Sequence, residues 1–196
     1  MISAFIRVDR PPPSRLRDPG HLSEQDKKEN NLIIICSSTR NPVTNEALEL
    51  LRTQDHRLAD LIPSFEAEPQ TGRLRIRWNK GVYPSESFQQ NGPDYDDVAV
   101  IVKARSPWAG QRKVLIVAGI RGFGTWGAAE FLKKWWHPLY DHKGHNKRSG
   151  STKAGDFAAL VSVRYRDYDI KSVRLLSVVD LDEAPSIHDV APTETG

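Results

Sequence analysis

Residues 113–136 read KVLIVAGIRGFGTWGAAEFLKKWW: a buried apolar strand, a glycine loop and the start of a helix in 24 residues. Gly122, Gly124 and Gly127 match G-x-G-x-x-G. A loop of this kind lets backbone N–H groups approach an anion closely and sets it at the positive end of the following helix. The reading that follows is a strand over 114–118, a loop through Ile120-Arg121-Gly122-Phe123-Gly124 and a helix over 125–136.

Working outward, a second strand, loop and helix precedes this one. Residues 32–36 (LIIIC) form a continuous, mostly β-branched run, the pattern of a central strand covered on both faces. Ser37-Ser38-Thr39-Arg40 follows, then Asn41 as an N-cap with Pro42 at the first helical position, which predicts a helix over 42–51. Residues 52–72, interrupted by Pro63 and Pro69, read as an extended connection with a helical turn near 58–62. Alternation of Leu74, Ile76 and Trp78 with arginines marks a half-buried strand, turning at Asn79-Lys80-Gly81 into a short partner at Val82-Tyr83. Strands over 98–104 and 114–118 are joined by RSPWAGQR, too short for a crossover helix, so they pair antiparallel and the sheet is mixed. A polar loop over 137–155 and strands over 157–165 and 173–179 complete the chain. The expected fold is α/β: a single three-layer, Rossmann-like domain with a mixed sheet of about six strands and two main helices.

The 196 residues, 38% hydrophobic and 27% charged, fit one domain over 31–182 with two tails. Residues 1–30, with PPPS, DPG and SEQDKKENN, read as a flexible arm; 183–196 read as an acidic disordered tail. No apolar run is long enough to span a bilayer and the start lacks a secretory signal, so a cytoplasmic location and no membrane contact are expected. The single cysteine, Cys36, excludes a disulfide framework and reads as a small buried hydrophobe. The net charge of +3 is polarised: six Lys or Arg against one Asp over 133–153, and five acidic residues without a basic one over 180–196. The aromatics of the basic stretch sit at its helical edge, so it reads as a solvated loop and a nucleic-acid partner is not expected.

Ligands of open α/β sheets collect beyond the carboxyl ends of the strands, where loops part. The two loops supply the ligand-binding candidates: Ser37, Ser38, Thr39, Arg40, Asn41 and Thr44 from the first, and Arg121, Gly122, Phe123, Gly124, Thr125, Trp126 and Gly127 from the second. If their strands are sheet neighbours, Arg40 and Arg121 make one anion-seeking crevice, and Trp126 or Phe123 can stack on a base. The glycines can equally serve only a tight turn and close helix packing. Glu130, one turn further along, is the candidate catalytic acid or base. The acidic residue that a dinucleotide fold requires about 20 residues beyond the glycines is missing: Asp141 and Asp156 are misplaced for it. Neither a G-x-x-x-x-G-K-[ST] phosphate loop nor a G-x-S-x-G elbow occurs, and His137, His142 and His145 lie in a lysine-rich loop without fixed metal-ligand geometry. No cofactor or metal is implied.

NLIIIC with NPVTNEALELL, DDVAVIVKARSPW, and KVLIVAGIRGFGTWGAAEFL together resemble a little-characterised group of bacterial α/β domains. In that group a strand of the type NLIxIGG precedes an N-x-x-T loop, and a strand of the type VLxLAG precedes G-x-G-T-x-G-A. The resemblance spans about residues 31–180; Asn41 and Thr44 match the first loop, and Gly122, Gly124, Thr125, Gly127 and Ala128 the second. It implies a sensor or effector module, sometimes attached to helix-turn-helix segments. Cys36-Ser37-Ser38 departs from the glycines usual there. The expected function is thus a regulatory domain binding a nucleotide-like or phosphorylated small molecule. The alternatives are a nucleotide- or NAD-processing hydrolase or transferase using Glu130, and an interaction module for a protein partner.

Overall fold

The computed structural model describes residues 16–85, 94–141 and 155–182, with the side chains of 135–141 left out. Three helices and eight strands follow one another as α1 (Glu24–Glu29), β1 (Leu32–Ile35), α2 (Pro42–Gln54), β2 (Ser64–Ala67), β3 (Leu74–Trp78), β4 (Gly81–Pro84), β5 (Tyr95–Arg105), β6 (Lys113–Gly119), α3 (Gly122–Asp141), β7 (Phe157–Arg166) and β8 (Asp169–Asp180). The mixed α/β class stands. In place of one sheet of about six strands there are two, a five-stranded sheet in the order β1-β6-β5-β7-β8 and a three-stranded antiparallel sheet β2-β3-β4. Within the larger sheet β1 and β6 are parallel, whereas β6, β5, β7 and β8 pair antiparallel in turn.

β5 occupies the centre because its period-two pattern is apolar in both phases. Val98, Val100 and Val102 face one core with Ile34, Leu48, Ile116, Ile76 and Trp78. Ala99 and Ile101 face the other with Val117, Ala128, Leu132, Val161 and Val163. Consequently α2 and the small sheet cover one face and α3 the opposite one. The two hairpins need residues at positive φ: Asn79 and Lys80 (46° and 63°) between β3 and β4, Asp167 and Tyr168 (48° and 64°) between β7 and β8. Such pairs match the strand twist of a two-residue turn.

Several expectations are corrected. β1 is an edge strand, not a central one: Ile34 is buried in the core on the α2 side, while Ile33 and Ile35, on the same face as Leu115 and Val117, are 40% and 44% exposed at the sheet edge. A β-branched run reports strand propensity but not whether both faces find partners. Cys36 is exposed at φ 98°, because the chain leaves the sheet there. The connection over 52–72 contains β2, paired with β3. Residues 24–29, read as part of a flexible arm, form α1, closed by a capping box between Ser23 and Asp26. Lys27 is buried against the domain, its Nζ donating to Glu24 and Glu46 at 2.6 and 2.8 Å. Among the described residues no helix is long and apolar enough to cross a membrane. The acidic tail over 183–196 lies outside the described residues.

Candidate functional site

At one end of the large sheet the carboxyl ends of β1, β6 and β7 meet the start of β5 and the β7–β8 turn. Both candidate loops are here, side by side, since β1 and β6 are parallel neighbours with Ile35 opposite Val117. Their helices depart to opposite faces, the arrangement that opens a crevice at a topological switch point.

In the first loop four of the six polar candidates are engaged within the corner itself, two on backbone and two on each other. Asn41 caps α2, its Oδ1 accepting from the Val43 N–H at 3.0 Å, and its Nδ2 donates to the Ile35 carbonyl at 3.0 Å. The Thr44 hydroxyl donates to the Cys36 carbonyl at 2.9 Å, and Ser37 and Thr39 share a hydrogen bond of 2.9 Å. Ser37, Asn41 and Thr44 are buried and Ser38 is half-buried; Arg40 is exposed. The sequence therefore places here a rigid corner whose outward charge is Arg40.

The second loop departs further from expectation. α3 begins at Gly122, not Thr125, so two of the three glycines lie inside its first turn. The anion at this helix start belongs to the chain: Asp97, fully buried at the beginning of β5, accepts at Oδ2 from the N–H groups of Gly124 (2.7 Å) and Arg121 (3.1 Å) and at Oδ1 from that of Val98 (2.8 Å). Burial pushes the Asp97 carboxyl above the ordinary aspartate value, a rise that the hydrogen bonds from Val98, Gly124, Arg121 and Ser85 offset only in part. Gly124 and Gly127 are explained by close packing. A Cβ on Gly124 would lie 2.7 Å from Asp97 Oδ2 and 3.0 Å from the Gly119 Cα, and one on Gly127 would collide with both Val163 methyls. Gly122 alone has open space around it. Thr125 Oγ1 accepts from the Gly119 N–H at 2.9 Å, tying helix to strand. The Arg121 and Gly124 N–H groups thus already have an anionic partner inside the protein.

Asp97 went unnoticed in the sequence. Its signal is phase: it shares the inward parity of Ala99 and Ile101, so a carboxylate in that register is aimed at the α3 side of the sheet.

The aromatic candidates pack on one another and on rings of β5 and β7. Phe123 stacks on Tyr165 (centroids 4.1 Å, 11° between planes), which stacks in turn on Tyr95 (5.5 Å, 21°). Trp126 and Tyr168 flank Phe123 at 6.1 and 5.8 Å. Trp126 and Glu130 line a cleft of about 280 Å³ between α3 and β8, together with Lys134, Asp169 and Lys171. Arg40 and Arg121 are not among its lining residues, so Glu130 shares a site with Trp126 and not with the two loops. Of the histidines weighed as metal ligands, His137 lies in the last turns of α3, and His142 and His145 fall outside the described residues. Among the described residues no group of three or more His, Cys, Asp or Glu side chains is placed to hold a metal ion. Comparison with known proteins brings no match, whether to a protein family, a curated protein or a solved structure.

Proposed function

We propose that this domain binds a nucleotide-like, phosphorylated small molecule at the corner between the β1 and β6 loops, and that it acts by binding and not by turnover. The observation that carries the reading is the parallel pair β1–β6 with α2 and α3 leaving to opposite faces. That is the Rossmann-like element of an otherwise antiparallel sheet, and ligands of α/β folds gather at such a point. Arg40 and Arg121 are exposed in these two loops, and neither enters an ion pair among the described residues. With Asp97 already occupying the N–H groups of Arg121 and Gly124, the phosphate is held by the two guanidinium groups, which suit a phosphate bidentately. Glu130 lies in the other cleft, away from the arginines, which favours a sensor over an acid–base catalyst. The likeness of the loop motifs to bacterial sensor and effector domains agrees with this.

Calorimetric titration with nucleoside triphosphates and inorganic pyrophosphate tests it. Arg40→Ala and Arg121→Ala are each expected to weaken binding about 10- to 100-fold, the loss of a charge-assisted hydrogen bond. Product chromatography after incubation is expected to show the nucleotides unchanged. Absence of binding by every nucleotide and by pyrophosphate removes the reading; sustained turnover replaces it with an enzyme.

A further inference from the structure

β8 is the longest strand of the domain and an edge of the larger sheet: β7 pairs with one side of it, and among the described residues no strand lies on the other. A long open edge presents unpaired backbone N–H and C=O groups, and edges of this kind are ordinarily shortened, charged or covered. Lys171 and Leu176 stand outside the β7 ladder as the extra residues of two bulges. Neither bulge hides the apolar side chains, since Leu175 and Leu176 are 41% and 45% exposed side by side. By contrast β1, at the opposite edge, is only four residues long, which itself limits pairing. Counted along the ladder with β7, Ile170, Val173, Leu175, Val178 and Asp180 fall on the face that carries α3. Ser172, Arg174 and Ser177 fall on the opposite face.

We propose that β8 is the interface of a homodimer, pairing antiparallel with β8 of a second copy so that the larger sheets of the two copies become one continuous sheet. This goes beyond the ligand reading and does not depend on it. A two-fold axis normal to the sheet keeps every side chain on its own face, so a residue, and not a gap between residues, must lie on the axis. Charge then selects among neighbouring registers. With Arg174 on the axis, its guanidinium is set directly against that of the second copy, a destabilising pair. With Ser177 there, the apolar Val173 meets the carboxylate of Asp180. With Leu175 on the axis, Leu175 meets its own counterpart, Val173 meets Val178 and Arg174 meets Ser177. In this last register Ile170 lies opposite Asp180 of the second copy. Lys171, the neighbouring bulge residue, then comes beside that carboxylate, on the face where it lines the α3 cleft. An apolar centre is thus flanked at each end by a lysine–aspartate contact between copies. Backbone hydrogen bonds along the joined edges supply affinity, and the side-chain pairs fix the register.

Sedimentation equilibrium of the full chain tests this. The wild type is expected to be a dimer at micromolar concentration. Leu175→Lys sets an ammonium group against its own counterpart on the axis and should raise the dissociation constant at least about 100-fold. Ile35→Lys, the same change at the β1 edge, should leave the dimer intact. Far-UV circular dichroism verifies that both variants keep the fold. A second measurement reads the register directly. Leu175→Cys in a Cys36→Ser background should form a disulfide between copies under mild oxidation, because directly opposed residues come within reach of such a bond, whereas Arg174→Cys in the same background should crosslink far less. If Leu175→Lys fails to fold, this crosslinking decides. A monomeric wild type overturns the proposal. So does a dimer that survives Leu175→Lys, a dimer lost on Ile35→Lys, or a crosslink that forms through Arg174→Cys in preference to Leu175→Cys.

Discussion

Asp97 shows how one side chain can change the meaning of a motif. Its carboxylate accepts the N–H groups of Arg121 and Gly124 that a glycine loop would otherwise present to a phosphate, so the loop is satisfied from within the protein. Gly124 and Gly127 then become packing residues while Gly122 does not, and tolerance to substitution should differ sharply between them. Gly127→Ala forces a methyl into Val163 on β7 and is expected to cost about 1–3 kcal/mol, the range of overpacked cores. Gly122→Ala meets no atom within 4 Å, lies in the first turn of α3, and is expected to be neutral or to stabilise by about 0.4–1 kcal/mol. Urea unfolding of the two variants checks this. A Gly122→Ala protein less stable than Gly127→Ala would contradict the packing account.

At the scale of elements, α1 is held by a single buried lysine. Lys27 donates to Glu46 on α2, and its Nζ sits 5.4 Å from the centre of the Trp108 ring, whose Nε1 donates to the same Glu46 at 2.8 Å. Burial pulls the Lys27 ammonium down, but its hydrogen bonds to Glu24 and Glu46 outweigh this and its pKa lies above the ordinary 10.5. Burial likewise acts to raise Glu46, and the bonds from Lys27 and Trp108 bring it below the ordinary 4.5. A raised lysine stabilises up to its unfolded value and is lost as pH rises beyond; a lowered glutamate stabilises above its unfolded value and is lost as pH falls through the folded one. The docking of α1 is therefore fully in force between about pH 4.5 and 10.5 and loosens on either side. Hydrogen exchange of the α1 amides across this range should show protection falling at both ends. Lys27→Met should abolish that pH dependence and cost about 1 kcal/mol, a modest figure because Glu46 keeps 39% side-chain exposure.

For the whole molecule, the decisive contact is the parallel pairing of β1 with β6, strands some 80 residues apart in the chain. It brings the two loops to one corner and leaves β1 as an edge. The two faces of this strand should respond to charge in opposite ways. Ile35→Lys, at a position 44% exposed, is expected to change stability by less than about 1 kcal/mol, whereas Ile34→Lys buries an unpaired ammonium and should cost more than about 4 kcal/mol. Denaturant titration distinguishes them. Equal, severe losses at both positions would mean that the outer face of β1 is covered.

Local interactions are what the amino-acid sequence determined. Asn41 and Pro42 open α2, the alternation over 74–78 gives β3, and RSPWAGQR is short enough to force β5 and β6 into a hairpin, because caps, periodicity and loop length act within a few residues. The edge position of β1, the separate small sheet and the capture of the α3 start by Asp97 depend on which distant residues meet. A β-branched run or a G-x-G-x-x-G string is compatible with more than one set of neighbours. Of the candidate site, the exposed arginines in two loops could be read from sequence; that Trp126 and Glu130 face β8 instead of those loops was set by the orientation of α3 on the sheet, since a helix position acquires its surroundings only when the helix is packed.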